Sequence, residues 1–202
     1  AFLLLFSCSL IALDKPNIII ILTDDLGWGD VSYHGGPIPT PNIDKLAKKG
    51  MEMNRFYSAP TCSPTRASML TGINSLANGV IRPYANPRTE SYGMPLYHKI
   101  MPEFLLEAGY QTALSGKWHL GITNGMDPQS QGFVDSLSLA GSSYLSENDP
   151  EVVNAKFDTS IDKMVWSTSQ YAARFNGSKP FAPDKYVTDY YTDEALKVIE
   201  NN

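Results

Sequence analysis

The run Ile18-Ile19-Ile20-Ile21-Leu22 constrains the chain more than any other stretch. Four consecutive β-branched residues leave no alternation between apolar and polar positions, so neither face of the run is suited to water. This is the pattern of a central strand covered on both faces, as in an open α/β sheet. Lys15-Pro16-Asn17 opens the run and Thr23-Asp24-Asp25-Leu26-Gly27-Trp28-Gly29 ends it. Asp24 and Asp25 thus fall just past the carboxyl end of a buried strand, the usual ligand position of such sheets. Adjacent carboxylates repel unless a cation or cationic side chains intervene, and hard oxygen donors suit Ca²⁺ or Mg²⁺. A strand-end turn with solvated aspartates accounts for the same pair.

Two later stretches carry further chemistry. In Thr61-Cys62-Ser63-Pro64-Thr65-Arg66-Ala67-Ser68-Met69-Leu70-Thr71-Gly72, a proline precedes a short apolar-periodic run. Ser63 or Cys62 is expected near the N-cap of a helix and Pro64 near its first position, where a missing N–H costs nothing. Arg66 then lies one turn on, on the face of Cys62, whose side chain stands at a helix N-terminus that favours an anion. A small apolar cysteine in a helix-start turn is the alternative. Further on, Leu96 to Tyr110 reads as a helix restarting at Pro102 and stopping at Gly109, followed by a short strand over Thr112–Ser115. That strand ends in Gly116-Lys117-Trp118-His119-Leu120-Gly121. Lys117 and His119 are one residue apart, so an extended backbone lets both face one pocket. A surface turn with a packed tryptophan and two solvated cations reads the same residues differently.

Composition narrows the class. The chain has 202 residues, 43% hydrophobic, which suffices for the core of one domain. Charged residues are 18% and the net charge is −5, which gives no support for a nucleic-acid partner. Ala1 to Leu13 reads as the apolar and cleavage regions of a signal peptide, too short to span a membrane. A first buried strand is the other reading. An exported protein, secreted, lysosomal or periplasmic, follows; Leu5-Phe6-Ser7-Cys8 also permits lipid anchoring at Cys8 in a bacterial envelope. With the leader removed, Cys62 is the single cysteine of the mature chain, and a leftover cysteine in an exported protein is reactive or modified.

The remaining segments are less specific. Thr40 to Gly50 reads as a short helix with Pro41 at its first position, and Met51 to Tyr57 alternates like a strand. His34, in the turn-rich loop before them, reads as structural. From Ile122 to Pro183 loops and short elements are expected at the rim of the site, where substrate choice usually resides. Trp166, Tyr171 and Phe175 read as core packing ahead of a sugar-stacking role. Asn176-Gly177-Ser178 is a glycosylation sequon in a eukaryotic host. Thr188 to Asn201 places Tyr191, Ala195, Leu196 and Ile199 on one face of an amphipathic helix.

Cys-x-Pro-x-Arg followed by Thr-Gly, Asp-Asp-Leu-Gly-Trp-Gly-Asp after an apolar strand, and Gly-Lys-Trp-His-Leu-Gly, in this order, resemble the type I sulfatases. Tyr92-Gly93-Met94-Pro95-Leu96 and Leu106-Glu107-Ala108-Gly109-Tyr110 look most like the arylsulfatase B branch. Gln131-Gly132-Phe133 departs from the family's frequent Arg-Gly-Phe-Asp, with an altered loop packing as the consequence. The resemblance implies the α/β alkaline-phosphatase-like fold, a central largely parallel or mixed sheet flanked by helices, and hydrolysis of sulfate esters, those of sulfated sugars first. It implies that a formylglycine-generating enzyme oxidises Cys62 to formylglycine, whose hydrated aldehyde attacks sulfur. Asp24, Asp25 and a formylglycine oxygen at Cys62 are implied ligands of Ca²⁺. Arg66 is implied to hold the hydrate, Lys117 to clamp a sulfate oxygen, and His119 to take a proton as sulfate leaves. Two rivals stand beside this reading: a phosphoryl-transfer relative in the same superfamily, whose members usually carry Ser or Thr as nucleophile, and a non-catalytic secreted binding protein in which Cys62 stays a thiol.

Relatives in the family continue into another core strand, a further calcium-ligand pair, a further histidine and a further lysine. The resemblance therefore implies that residues 15–202 form the N-terminal part of a catalytic domain and, expressed alone, neither fold well nor turn over substrate. Each large aliphatic side chain left uncovered forgoes roughly 1.5–3 kcal/mol, against a net domain stability of about 5–15 kcal/mol. Expression of residues 15–202, with calcium binding, thermal melting and aryl sulfate hydrolysis measured, checks this. A sharply melting, calcium-binding, active product would refute it.

Overall fold

The computed structural model describes residues 15–83, 93–139 and 173–201. The suggested leader with Cys8, and also Tyr92, Trp166 and Tyr171, lie outside the described residues. The chain divides into two compact units, Ala1–Arg55 and Phe56–Asn202.

In the first unit, Trp28–Asp30 and Ser32–His34 form two short 3-10 turns around the buried Val31. Helix α1 spans Pro41–Lys49, with Pro41 at its start and Lys48 and Lys49 in the last turn, where they complement the helix dipole. Asp44 fastens the helix to the turns: its carboxylate accepts from the Thr40 hydroxyl at 2.9 Å, the Ser32 hydroxyl at 3.0 Å and the Tyr33 amide at 3.1 Å.

Two strand expectations fail in this region. Ile18–Leu22 forms no strand, and its side chains are exposed, Ile21 at 79%. A strand exists only through its pairing partners, and the sheet of the described residues contains none that pairs with this run. Met51 to Tyr57 likewise forms a turn and irregular chain, with Met51, Met53, Phe56 and Tyr57 all exposed. Alternation along a sequence records suitability for a sheet face; it does not supply the neighbouring edge.

The second unit holds the hydrophobic core. Helices α2 (Cys62–Thr71), α3 (Ser75–Asn78) and α4 (Met101–Glu107) precede strands β1 (Ala113–Gly116), β2 (Asp135–Leu139) and β3 (Ala173–Phe175), and α5 (Val187–Glu200) follows. The strands form one mixed sheet in the order β1-β2-β3, with β1 parallel and β3 antiparallel to β2. Ala67, Leu70, Val80, Met94, Ile100, Trp118 and Leu120 make a continuous apolar cluster, so α2 and the segment just after β1 share one core. Phe175, expected inside, is exposed.

The amide of Ser178 donates to the Phe175 carbonyl at 2.8 Å, and both intervening residues have positive φ, 41° at Asn176 and 68° at Gly177. Asn-Gly is suited to such a mirror-image hairpin turn, so the sequon residues also shape the β3 hairpin, with Phe181 bridging back to Ala173. Helix α5 packs on β1, where the Ser115 hydroxyl reaches the Tyr191 carbonyl at 2.7 Å. Of its expected apolar face, Leu196 and Ile199 remain exposed.

His34 has the structural role expected of it. Its ring stacks on Trp28 at 3.9 Å, Nδ1 lies 2.8 Å from the Trp28 carbonyl, and Nε2 lies 3.0 Å from Glu52 Oε1. Only the doubly protonated ring donates to both acceptors, so the Trp28 carbonyl, followed by the Glu52 carboxylate, raises the His34 pKa above its ordinary 6.5, against an opposing effect of burial. The hydrogen bond from His34 and then that from Tyr33 hold Glu52 below its ordinary 4.5. The His34 contribution is complete below 6.5 and is lost as pH rises through its folded value. The Glu52 contribution is complete above 4.5 and is lost as pH falls through its folded value. The tie is therefore strongest between 4.5 and 6.5. NMR titration should find His34 titrating above 6.5, and Glu52→Gln should bring it down toward that value; a His34 midpoint below 6.5 in the unaltered chain would contradict this geometry.

Candidate active site

Cys62 is the first residue of α2, and Thr61 is the N-cap with extended backbone. The helix thus begins two residues ahead of Pro64, which occupies its third position. Proline is still tolerated there, because the first four N–H groups of a helix have no intrahelical acceptor. Thr65 closes the first turn, donating from its amide to the Thr61 carbonyl at 3.1 Å and from its hydroxyl at 2.9 Å. Cys62 is half-buried and forms no disulfide. Ser63, Pro64, Arg66 and Ala67 are buried, so the helix start is locked from the second residue on.

What locks it is the segment after β1. Arg66 Nη1 donates to the Lys117 carbonyl at 2.6 Å, and Ser63 Oγ donates to the His119 carbonyl at 2.9 Å. Between those carbonyls, the Trp118 side chain is buried in the core with its ring edge-to-face on Phe133. Its Nε1 donates to the carbonyls of Gly121 at 2.7 Å and Met126 at 2.9 Å. A large aromatic anchor with a satisfied N–H is an efficient way to pin a loop. His119 has φ +60°, a left-handed conformation uncommon outside glycine, and the flanking Gly116 and Gly121 also have positive φ.

The structure therefore brings the backbone of Lys117 and His119 beside the first turn of α2, which carries Cys62 and Arg66. Lys117 and His119 are partly buried beside the buried Trp118. Asp24 and Asp25 belong to the first unit, where they form an exposed bend with Asp25 at φ +55°. Their carboxylates fit a hard divalent cation by donor type. Among the described residues no group of three or more His, Cys, Asp and Glu side chains is placed to hold a metal, so two aspartates alone fall short of the six to eight oxygens or so that Ca²⁺ takes.

Sequence reasoning underrates two residues. Ser63 reads as a possible cap, but its hydroxyl crosses to the His119 backbone; only its place next to Cys62 marks it. Trp118 reads as ordinary packing, yet it holds the loop that presents Lys117 and His119. Gln131, at the position of the family's arginine, is buried and donates from Nε2 to the Gly125 carbonyl at 2.9 Å. It supports the same loop, 125–126, on which Trp118 is hung. Gly132 is required beside it: φ is +90°, and a Cβ would lie 2.6 Å from the Glu103 amide nitrogen.

The Sulfatase family model matches residues 16–202. The N-acetylgalactosamine-6-sulfatase of Mus musculus is 40% identical over 196 residues, 92% of this chain and 36% of that protein. The crystal structure of Ps i-CgsB superposes with a TM-score of 0.77 at 31% identity, covering 93% of this chain and 42% of that one. BT4656, solved in complex with its substrate D-glucosamine-2-N,6-O-disulfate, gives a TM-score of 0.66 at 30% identity, covering 93% of this chain and 32% of that one. The chain spans between 23% and 36% of the length of curated relatives such as the arylsulfatase G of Homo sapiens and the murine enzyme. With the family model matched along nearly its whole length, and with sulfatases as its structural neighbours, the chain belongs to the sulfatase family and has the alkaline-phosphatase-like α/β fold.

Proposed function

We propose that the protein hydrolyses sulfate esters of sugars, using formylglycine made from Cys62 and Ca²⁺ held by Asp24 and Asp25. The observation that carries this reading is the double tie between the first turn of α2 and the Lys117–His119 segment, 2.6 and 2.9 Å long. A modifiable cysteine and an arginine lie on one of the two segments so tied, a lysine and a histidine on the other, which supports the reading.

Sulfate ester cleavage needs a nucleophile, counter-charge for the sulfonyl oxygens and protons moved to and from oxygen. Formylglycine supplies the nucleophilic hydroxyl of its hydrate, and Ca²⁺ supplies Lewis acidity toward the sulfate oxygens. The residues of the chain do the rest. Arg66, on the helix face of Cys62 one turn on, orients the side chain at position 62 while its Nη1 stays on the Lys117 carbonyl. Lys117 binds a sulfate oxygen and offsets the charge that develops there. His119 accepts a proton at its imidazole in the step that releases sulfate.

Sugar substrates are supported by the glucosamine disulfate bound to BT4656 and by the name of the murine N-acetylgalactosamine-6-sulfatase. Maturation requires a formylglycine-generating enzyme as partner. Export is supported by the apolar Ala1–Leu13 stretch; among the described residues no helix is long and apolar enough to cross a membrane.

The test is hydrolysis of a generic aryl sulfate by the full-length natural protein produced with its maturation enzyme. Cys62→Ala should abolish turnover, and Cys62→Ser, which cannot form the hydrate, should not restore it. Lys117→Ala should lower kcat/KM by roughly 100- to 1,000-fold, the usual cost of removing one transition-state donor. Substantial turnover by Cys62→Ala would sink the reading.

A further inference from the structure

We propose that Ser63 is a positioning residue for His119: its hydroxyl fixes the backbone from which the imidazole projects, and so sets the histidine against the side chain at position 62. The inference rests on the sulfatase reading above and extends it to a residue with no chemical step of its own.

Four observations carry it. Ser63 is fully buried, and its Oγ donates to the His119 carbonyl at 2.9 Å across 56 positions of sequence. His119 is held at φ +60°, a conformation that strains a non-glycine residue and persists only when its surroundings impose it. The segment is framed by Gly116 and Gly121, both at positive φ, so the local chain has little stiffness of its own. Finally, Ser63 is the residue directly after Cys62 in the same helical turn.

The Arg66 contact fixes the Lys117 carbonyl, the buried indole fixes Trp118, and the Ser63 hydroxyl fixes the His119 carbonyl. Because Ser63 is one residue from Cys62, its hydrogen bond registers the nucleophile directly against the backbone of the proton acceptor. Misplacing a reacting group by about 1 Å costs on the order of 100-fold in rate, so partial release of His119 should cost less than that and should appear in kcat.

The experiment uses the full-length natural protein with its maturation enzyme, and aryl sulfate as the probe. Ser63→Ala should lower kcat about tenfold per converted site, with KM unchanged within about twofold; this is the part of the penalty expected for a loosened, not absent, group. Peptide mass gives the fraction of residue 62 converted, so that kcat is counted only over modified enzyme. Ser63→Thr, which keeps the hydroxyl, should restore most of the rate. A purely structural serine would lower the melting temperature and leave kcat per converted, folded site unchanged. That result overturns the proposal, as does a loss confined to KM or a loss that threonine fails to restore. If Ser63→Ala does not fold, Ser63→Cys substitutes a weaker donor of similar size: a several-fold drop in kcat supports the proposal and an undiminished kcat overturns it. Inactivity of the unaltered, converted protein toward sulfate esters would instead overturn the sulfatase reading itself.

Discussion

The buried guanidinium of Arg66 is the interaction on which the candidate site depends. A charged group so far removed from water is costly unless acceptors surround it. The Lys117 carbonyl at 2.6 Å is one such acceptor, and it belongs to a segment 51 positions away. To satisfy the arginine, the chain after β1 must therefore run past the first turn of α2. Once it does, the Ser63 hydroxyl meets the His119 carbonyl, and Trp118 enters the core between them. Lysine in place of Arg66 would keep the charge but not the planar fork of donors, so it is not a conservative replacement here.

Helices and their ends are legible in the sequence because their determinants are local. Pro41 and Gly50 bound α1, Pro102 lies in the first turn of α4, and Gly109 follows α4 with a positive φ that suits glycine. The strand β1 is found one residue from its expected place for a related reason: it is short and ends at a glycine with positive φ. Sheet pairing is a different matter. Among the described residues Ile18–Leu22 and Met51–Tyr57 have strand composition without a strand partner, while β2 and β3 arise in a stretch that reads as loops and short elements. In β2, buried Leu137 is flanked by buried Ser136 and Ser138, a pattern too polar to announce itself. Asn176 shows how one motif can carry two meanings: its three residues match a sequon, yet the same Asn-Gly pair forms the tight turn after β3, with the side-chain Oδ1 accepting from the Ser136 amide at 2.7 Å.

The site is legible for a similar reason, and only in part. Cys62, Arg66, Lys117 and His119 lie in two short motifs, and the contacts that join those motifs use backbone carbonyls, which every sequence provides. What spacing alone does not reveal is the donor on the other side, a serine that looks like a helix cap. Asp24 and Asp25 are marked by charge adjacency, which is a property of two neighbours; a full coordination shell draws on residues distant in sequence, and no local pattern announces those.

The most direct test of the account is the mass of the peptide that carries residue 62, taken from the full-length natural protein matured by its own host. The account predicts a residue that has lost one sulfur and two hydrogens and gained one oxygen, and that reacts with carbonyl reagents. An intact thiol at Cys62 in a preparation that hydrolyses sulfate esters would contradict it.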